Sequence, residues 1–283
     1  MLELPECLTL ARQLDEALRG KTISRAARGN SPHRFTFFTP PVEEIERRLP
    51  GRRVRGARAE GKSIFVDLDD GSVLVLRELD ARIHWSPPAG TSPAVGTAAS
   101  VLAQAKPPPK KYQFLLEFAR GGQLTVTISL WGLISLEEST AHGDEGLDPL
   151  GEEFTLERFR ALLVEYEKPQ APIKAFLINR PRIRGFGNGY MQEMLFRAGI
   201  LPTRRVGDID APESRRLHQA IRGVLEEAVR LGGSEDECDI HGRPGGYRKN
   251  LCARVHECHL CGTPIEKKAF LGGATYYCPL CQK

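Results

Sequence analysis

The sequence predicts an α+β fold: a β-rich N-terminal domain carrying one helix, then a helical domain, then a cysteine-bearing β-hairpin. Three observations predict it. Hydrophobic residues recur at helical spacing over the first twenty positions, then alternate with period two to about residue 140. From Thr155 the helical period returns over four segments. Four of the seven cysteines then fall within the last 26 residues. Period 3.6 and period 2 mark a helix and a half-buried strand, so the change in period marks the change in architecture.

The first helix is predicted from PECLTLARQLDEALRG, where Cys7, Leu10, Ala11, Leu14, Ala17 and Leu18 form one apolar face. Pro5 suits its first turn and Gly20 its C-terminal stop. Strands follow in FTFFT, in SIFVDLDDGSVLVL with Asp70-Gly71 at the turn, and in YQFLLEFARGGQLTVTISLW with Gly121-Gly122 at the turn. Between the hairpins, SPPAGTSPAVGTAASVLAQAKPPPKK is rich in Pro, Ala, Gly and Ser and reads as a long surface loop. The helical segments are LERFRALLVEY, IKAFLI, GYMQEMLFRAGI and ESRRLHQAIRGVLEEAVRLGG. The polar, turn-rich SEDECDIHGRPGGYRKN is expected to be a mobile surface loop. These patterns place one domain at 1–140, a second at 150–257 and a cysteine module at 258–283.

A chain of 283 residues with 41% hydrophobic content can bury more than one core. The first twenty residues carry Glu3, Glu6, Arg12, Asp15 and Glu16 and no apolar run of signal-peptide length. No later stretch approaches a membrane span, so a cytoplasmic, membrane-free protein is expected. The formal charge of +4 is too small to identify a partner, but its distribution is uneven. Residues 174–205 carry a formal +6 and residues 241–283 a formal +5, as expected of a surface that follows phosphates.

In CHLCGTPIEKKAFLGGATYYCPLC, two Cys-x2-Cys pairs stand sixteen residues apart. Each pair aims two thiolates at one point, and two pairs on a hairpin close a tetrahedral zinc site on Cys258, Cys261, Cys278 and Cys281. Four protein ligands leave no position for a reactive water, so one structural Zn2+ that folds the hairpin is expected. Cys7, on the apolar face of the first helix, reads as a core residue. The stretch IKAFLINRPRIRGFGNGYMQEMLFRAGILP joins two helical patterns through a turn. Pro181 blocks continuation, Gly185 and Gly187 permit close backbone approach, and Asn188 stands where the next helix would be capped. With Arg180, Arg182 and Arg184 alongside, this turn either holds a phosphate or simply caps a helix among solvated arginines.

GFGNGYMQEMLFRAGI is similar to the helix-two-turn-helix signature of the formamidopyrimidine-DNA glycosylase and endonuclease VIII family. The CGTPI and YYCPLCQ ends resemble that family's zinc finger, and MLELPE resembles its amino-terminal MPELPE. EGKSIFVDL and GLDPLGEEF fall in the matching order, so the likeness spans the chain and is strongest from Ile173 onward. The resemblance implies an N-terminal β-sandwich, a helix-two-turn-helix domain and a β-hairpin zinc finger. It implies base-excision repair of duplex DNA, damaged or abasic, by a monomer that flips the damaged base out of the helix. In the family an N-terminal proline attacks the sugar C1′, giving N-glycosylase and abasic-site lyase chemistry.

Carried over by position, the catalytic set implied is the terminal amine of Met1, or of Leu2 if the methionine is removed, with Glu3 assisting and Glu6 as a second acid. The implied DNA contacts are Lys62 in the EGKS turn, Asn188, Arg184 and Trp131 at the wedge position. Three positions depart from the family pattern: Leu2 stands at the proline, Gly273 at the finger arginine and Leu130 at the arginine beside the wedge. Glu3 and Glu6 equally suit the start of a helix, Lys62 a solvated turn and Trp131 a core. Two functions stay open: an active DNA glycosylase, or a zinc-containing DNA-binding protein that lost its nucleophile. An RNA-binding role for the helix-turn element is a weaker third.

Overall fold

A computed structural model of the chain describes residues 1–78, 80–90, 105–138, 143, 145–178 and 182–283. Most of the expected Pro/Ala-rich loop, with Arg180 and Pro181, lies outside the described residues. The chain divides into two compact units, Met1–Gly143 with Leu231–Tyr247, and Asp144–Arg230 with Arg248–Lys283.

The first unit is a β-sandwich with one long helix. Helix α1 (Leu4–Leu18) begins with a capping box: the Glu3 carboxylate accepts from the Glu6 backbone, and the Glu6 carboxylate accepts from the Glu3 N–H. Reciprocal caps satisfy two of the donors every helix start leaves orphaned. The strands are β1 (Ile23–Arg28), β2 (Thr36–Thr39), β3 (Val54–Glu60), β4 (Ser63–Leu68), β5 (Val73–Arg77), β6 (Ala81–Ser86), β7 (Phe114–Phe118), β8 (Gln123–Ile128) and β9 (Gly132–Glu137). A short helix, α2 (Val42–Arg48), follows β2. One sheet runs β1-β7-β8-β6, the other β2-β9-β5-β4-β3. Alternation decides the inner faces. Ile64, Val66 and Leu68 from one sheet meet Ile83, Phe114, Leu116 and Val126 from the other, with Leu10, Leu14 and Leu18 of α1 in the same core.

Residues 234–250, expected from their polarity to be a mobile surface loop, are instead tied down, those up to Tyr247 packing with the first unit. Ile240 is fully buried in the sandwich core, and Tyr247 is buried too. Polar side chains of α1 accept the segment's backbone N–H groups: Gln13 Oε1 from Ile240 at 3.2 Å and Glu6 Oε1 from Ser234 at 2.8 Å. Gln13 Nε2 donates to Asp239 at 3.0 Å. Buried backbone groups need partners, and here α1 supplies them.

The second unit contains α3 (Leu156–Val164), α4 (Ile173–Ile178), α5 (Asn188–Ala198) and α6 (Ala211–Arg230), with a hairpin of β10 (Glu266–Phe270) and β11 (Gly273–Tyr277). Thr155 caps α3 by accepting from the Arg158 N–H. Helix α5 buries Tyr190, Met191, Met194 and Leu195 and ends at Gly199 in the left-handed conformation.

Candidate nucleic-acid site and metal centre

In the first unit the α1 capping box fixes the chain entry, so Leu2 turns into the core at 1% exposure while Met1 stays half exposed. The Met1 ammonium lies 3.1 Å from Glu237 Oε1 and 3.4 Å from Asp80 Oδ1. Burial works to lower the pKa of this amine, but Glu237 and Asp80 outweigh it and hold the pKa above the ordinary value. The protonated form is therefore favoured at neutral pH. Glu3 is buried at the start of α1. Asp80 is fixed through its backbone: its N–H donates to the Trp131 carbonyl at 3.0 Å and its carbonyl accepts from Ser129 at 2.7 Å.

That links the amine to the loop carrying Trp131. Trp131 is not a core residue. It is half-buried and packs on exposed Phe37, with ring centroids 5.4 Å apart, beside Leu130 at 68% exposure. Lys62 stands with Gly61 in the two-residue turn between β3 and β4, where Glu60 pairs with Ser63. Gly61 takes a positive φ of 58°, the backbone such a tight turn needs.

In the second unit Asn188 is the first residue of α5 rather than its cap; Gly187 occupies the cap position. Its Nδ2 donates to the Ala274 carbonyl of β11 at 2.8 Å, while its buried Oδ1 has no hydrogen-bond partner. One turn on, Gln192 Oε1 accepts from the Tyr276 N–H. Lys174, fully buried on α4, donates from Nζ to the Phe270 carbonyl at 2.6 Å and to Thr275 Oγ1 at 2.8 Å. Burial pushes its pKa down. The hairpin is thus seated on α4 and α5 by three polar side chains. Arg184 is partly engaged by Asp148 at 3.4 Å, and Arg182 lies over the Tyr166 ring at 5.4 Å.

The four cysteines converge. Their Sγ atoms all lie within 4.8 Å of one another, with Cys258–Cys281 at 3.8 Å, Cys261–Cys278 at 3.6 Å and Cys261–Cys281 at 3.4 Å. Four thiolates at ~2.3 Å from a tetrahedral zinc stand about 3.8 Å apart, so the donor set fits that ion. Cys258 and Cys278 are buried against Phe196 and Leu251. The ion would join the two ends of the hairpin and supply no chemistry to a substrate.

The sequence pointed to Met1, Glu3, Lys62, Asn188 and the cysteines. It gave no sign of the roles of Asp80, Glu237 or Lys174, whose partners are remote in the chain. Gln192 alone carried a local signal, one helical turn beyond Asn188.

These features define a two-unit α+β protein with a zinc-hairpin module seated on a glycine-rich helix start. The models of three domains match: the formamidopyrimidine-DNA glycosylase N-terminal domain over residues 1–127, the formamidopyrimidine-DNA glycosylase H2TH domain over 146–238, and the zinc finger found in FPG and IleRS over 256–283. The chain belongs to the formamidopyrimidine-DNA glycosylase family. It is 32% identical over 291 residues to the formamidopyrimidine-DNA glycosylase of Acidovorax ebreus, with 100% of each chain covered. It is 34% identical over 290 residues to that of Chloroflexus aggregans, covering 100% of this chain and 98% of the other. The fold matches that of the Lactococcus lactis Fpg in complex with DNA containing an abasic site, with a TM-score of 0.81, 23% identity and 99% of each chain covered.

Proposed function

We propose that the protein is a base-excision repair protein of the formamidopyrimidine-DNA glycosylase type that binds damaged or abasic duplex DNA. The observation that carries this reading is the full-length kinship with curated glycosylases at about one-third identity. Asn188, Arg184 and Lys62 are assigned to the phosphates and Trp131 to the DNA at the lesion. Half-exposed Trp131 and the helix start at Asn188 support those assignments. The reading assigns residues 1–140 to the sandwich domain, 150–257 to the helical domain except for 231–247, which pack with the first unit, and 258–283 to the zinc hairpin that braces the Asn188 turn.

For catalysis the reading assigns the terminal amine of Met1, or of Leu2 after methionine removal, as nucleophile at the sugar C1′, with Glu3 handling protons. A nucleophilic amine must be neutral. The carboxylates of Asp80 and Glu237 favour its protonated form, and Leu2, in place of the family's proline, is locked in the core. Those two observations favour the second reading, a member that recognises damaged DNA with impaired amine chemistry.

Borohydride reduction in the presence of abasic-site duplex separates the two readings. A covalent protein–DNA band that disappears when the α-amine is blocked supports the enzyme. Tight binding without a band, under conditions that trap a proline-bearing relative, supports the binder.

A further inference from the structure

A basic cavity lies on the first unit, at the C-terminal end of α1, one helix length of about 22 Å from Met1. Its volume is about 400 Å³, and its walls include Arg19, Lys21, Thr22, Arg53, Phe118 and Arg120. Three chain segments are pinned together to form it. The Val54 N–H donates to the Lys21 carbonyl at 2.9 Å, the Ala119 N–H to the Thr22 carbonyl at 2.9 Å, and the Gly20 N–H to the Val54 carbonyl at 2.8 Å. The walls are therefore held by backbone, independent of any ligand.

The charges around it are unbalanced. Arg19 is neutralised by Asp15 at 2.6 Å, and Arg52, next to Arg53, by Asp70 at 3.0 Å. Among the described residues no carboxylate pairs with Lys21, Arg53 or Arg120. Arg53 Nε donates only to the Gly20 carbonyl, at 3.1 Å, which leaves its charge uncompensated. Lys21 Nζ lies 5.8 Å from the centre of the Trp85 ring, a contact that leaves its charge in place. Like charges converging on a preformed hollow repel one another unless an anion fills it. Asp15, the partner of Arg19, is not among the lining residues and is also engaged by the Ala57 N–H at 2.8 Å.

We propose that Lys21, Arg53 and Arg120 form a binding site for an oligophosphate anion, separate from the Met1 cluster. The size suits several linked phosphates, since about 300–1,000 Å³ is the range of small-ligand sites. Arginine forks match phosphate oxygens in pairs, while the lysine adds a compact charge. Linked phosphates come from two sources, a free di- or triphosphate or a run of DNA backbone, and the chemistry recognised is the same.

The test is calorimetric titration of the full chain with sodium tripolyphosphate at low salt, comparing wild type with the double variant Arg53→Ala/Arg120→Ala. Wild type is expected to bind one anion per chain, and the double variant to bind at least about tenfold more weakly, a modest loss for two charged contacts. Arg53→Lys/Arg120→Lys, which keeps the charge, should retain much of the binding. Arg12→Ala/Arg25→Ala, which removes equal charge elsewhere, should change it less than about twofold. Equal binding by wild type and the Arg53/Arg120 double variant overturns the proposal, and so does an equal loss in the Arg12/Arg25 control. With the site established, duplex titrations assign the source. A lower DNA affinity and salt slope in the Arg53/Arg120 variant assigns the phosphates to a DNA strand, and unchanged DNA binding assigns them to a free anion.

Discussion

Gly273 stands where the resemblance places the arginine of the family's finger, and the structure leaves room there for a side chain to begin. A Cβ on Gly273 would come no closer than 3.6 Å to any neighbour, the Asn188 amide nitrogen being nearest. That is ordinary contact, and Gly273 is not among the glycines with positive φ. Gly273→Arg therefore starts an arginine side chain next to Asn188 without backbone strain, within reach of any phosphate held at that turn. A hydrogen bond to a charged group contributes ~1.5–3 kcal/mol. At a solvent-facing hairpin we take the lower end, which is about a tenfold gain in DNA affinity. One added phosphate contact also steepens the dependence of log K on log salt by about 0.9. Fluorescence anisotropy with abasic-analogue duplex at four salt concentrations measures both quantities. Gly273→Met controls for side-chain bulk and should change neither. Unchanged affinity and slope in a Gly273→Arg protein of native melting temperature would refute the placement of the hairpin at the phosphates.

Asn188→Ala and Lys62→Ala should each weaken duplex binding across all sequences and reduce the salt slope by about 0.9; anisotropy with unrelated duplexes checks this, and unchanged slopes contradict it. Zinc chelation should unfold the hairpin and unseat it from Lys174, Asn188 and Gln192, lowering both the melting temperature and DNA affinity; full affinity after verified metal loss removes the module from the interface. His84 is buried, and that burial, with Arg82 and His241 nearby, lowers its pKa to about 4. The fold thus favours the neutral ring, and this preference costs nothing above the unfolded value of 6.5. Stability is lost as pH falls from there toward 4, by about 3 kcal/mol in all. Denaturant titrations of His84→Gln should show a shallower acid loss, and an identical pH profile would sink the assignment.

Local patterns carried most of the fold. The 3.6 period from Pro5 to Leu18, the Asp70-Gly71 and Gly121-Gly122 turns and the two Cys-x2-Cys pairs are written in adjacent residues, and each reappears in the structure. The misreadings arose where distant residues decide the outcome. The polarity of residues 234–250 suggested exposure, but Gln13 and Glu6 on α1 accept backbone N–H groups of that segment and Ile240 enters the core. Asn188 read as a cap because its type favours caps, yet its amide is bound by the hairpin 86 residues away. Met1 was legible as a terminal amine. Its environment was not, because Asp80 and Glu237 reach it only through the folded sandwich.

Both readings of catalysis rest on the claim that the protein recognises damaged duplex DNA. Competition between abasic-analogue duplex and the same sequence undamaged, at physiological salt, tests that claim directly. The account predicts at least about tenfold tighter binding to the abasic-analogue duplex, or ~1.4 kcal/mol. Equal affinities for the two duplexes would contradict it.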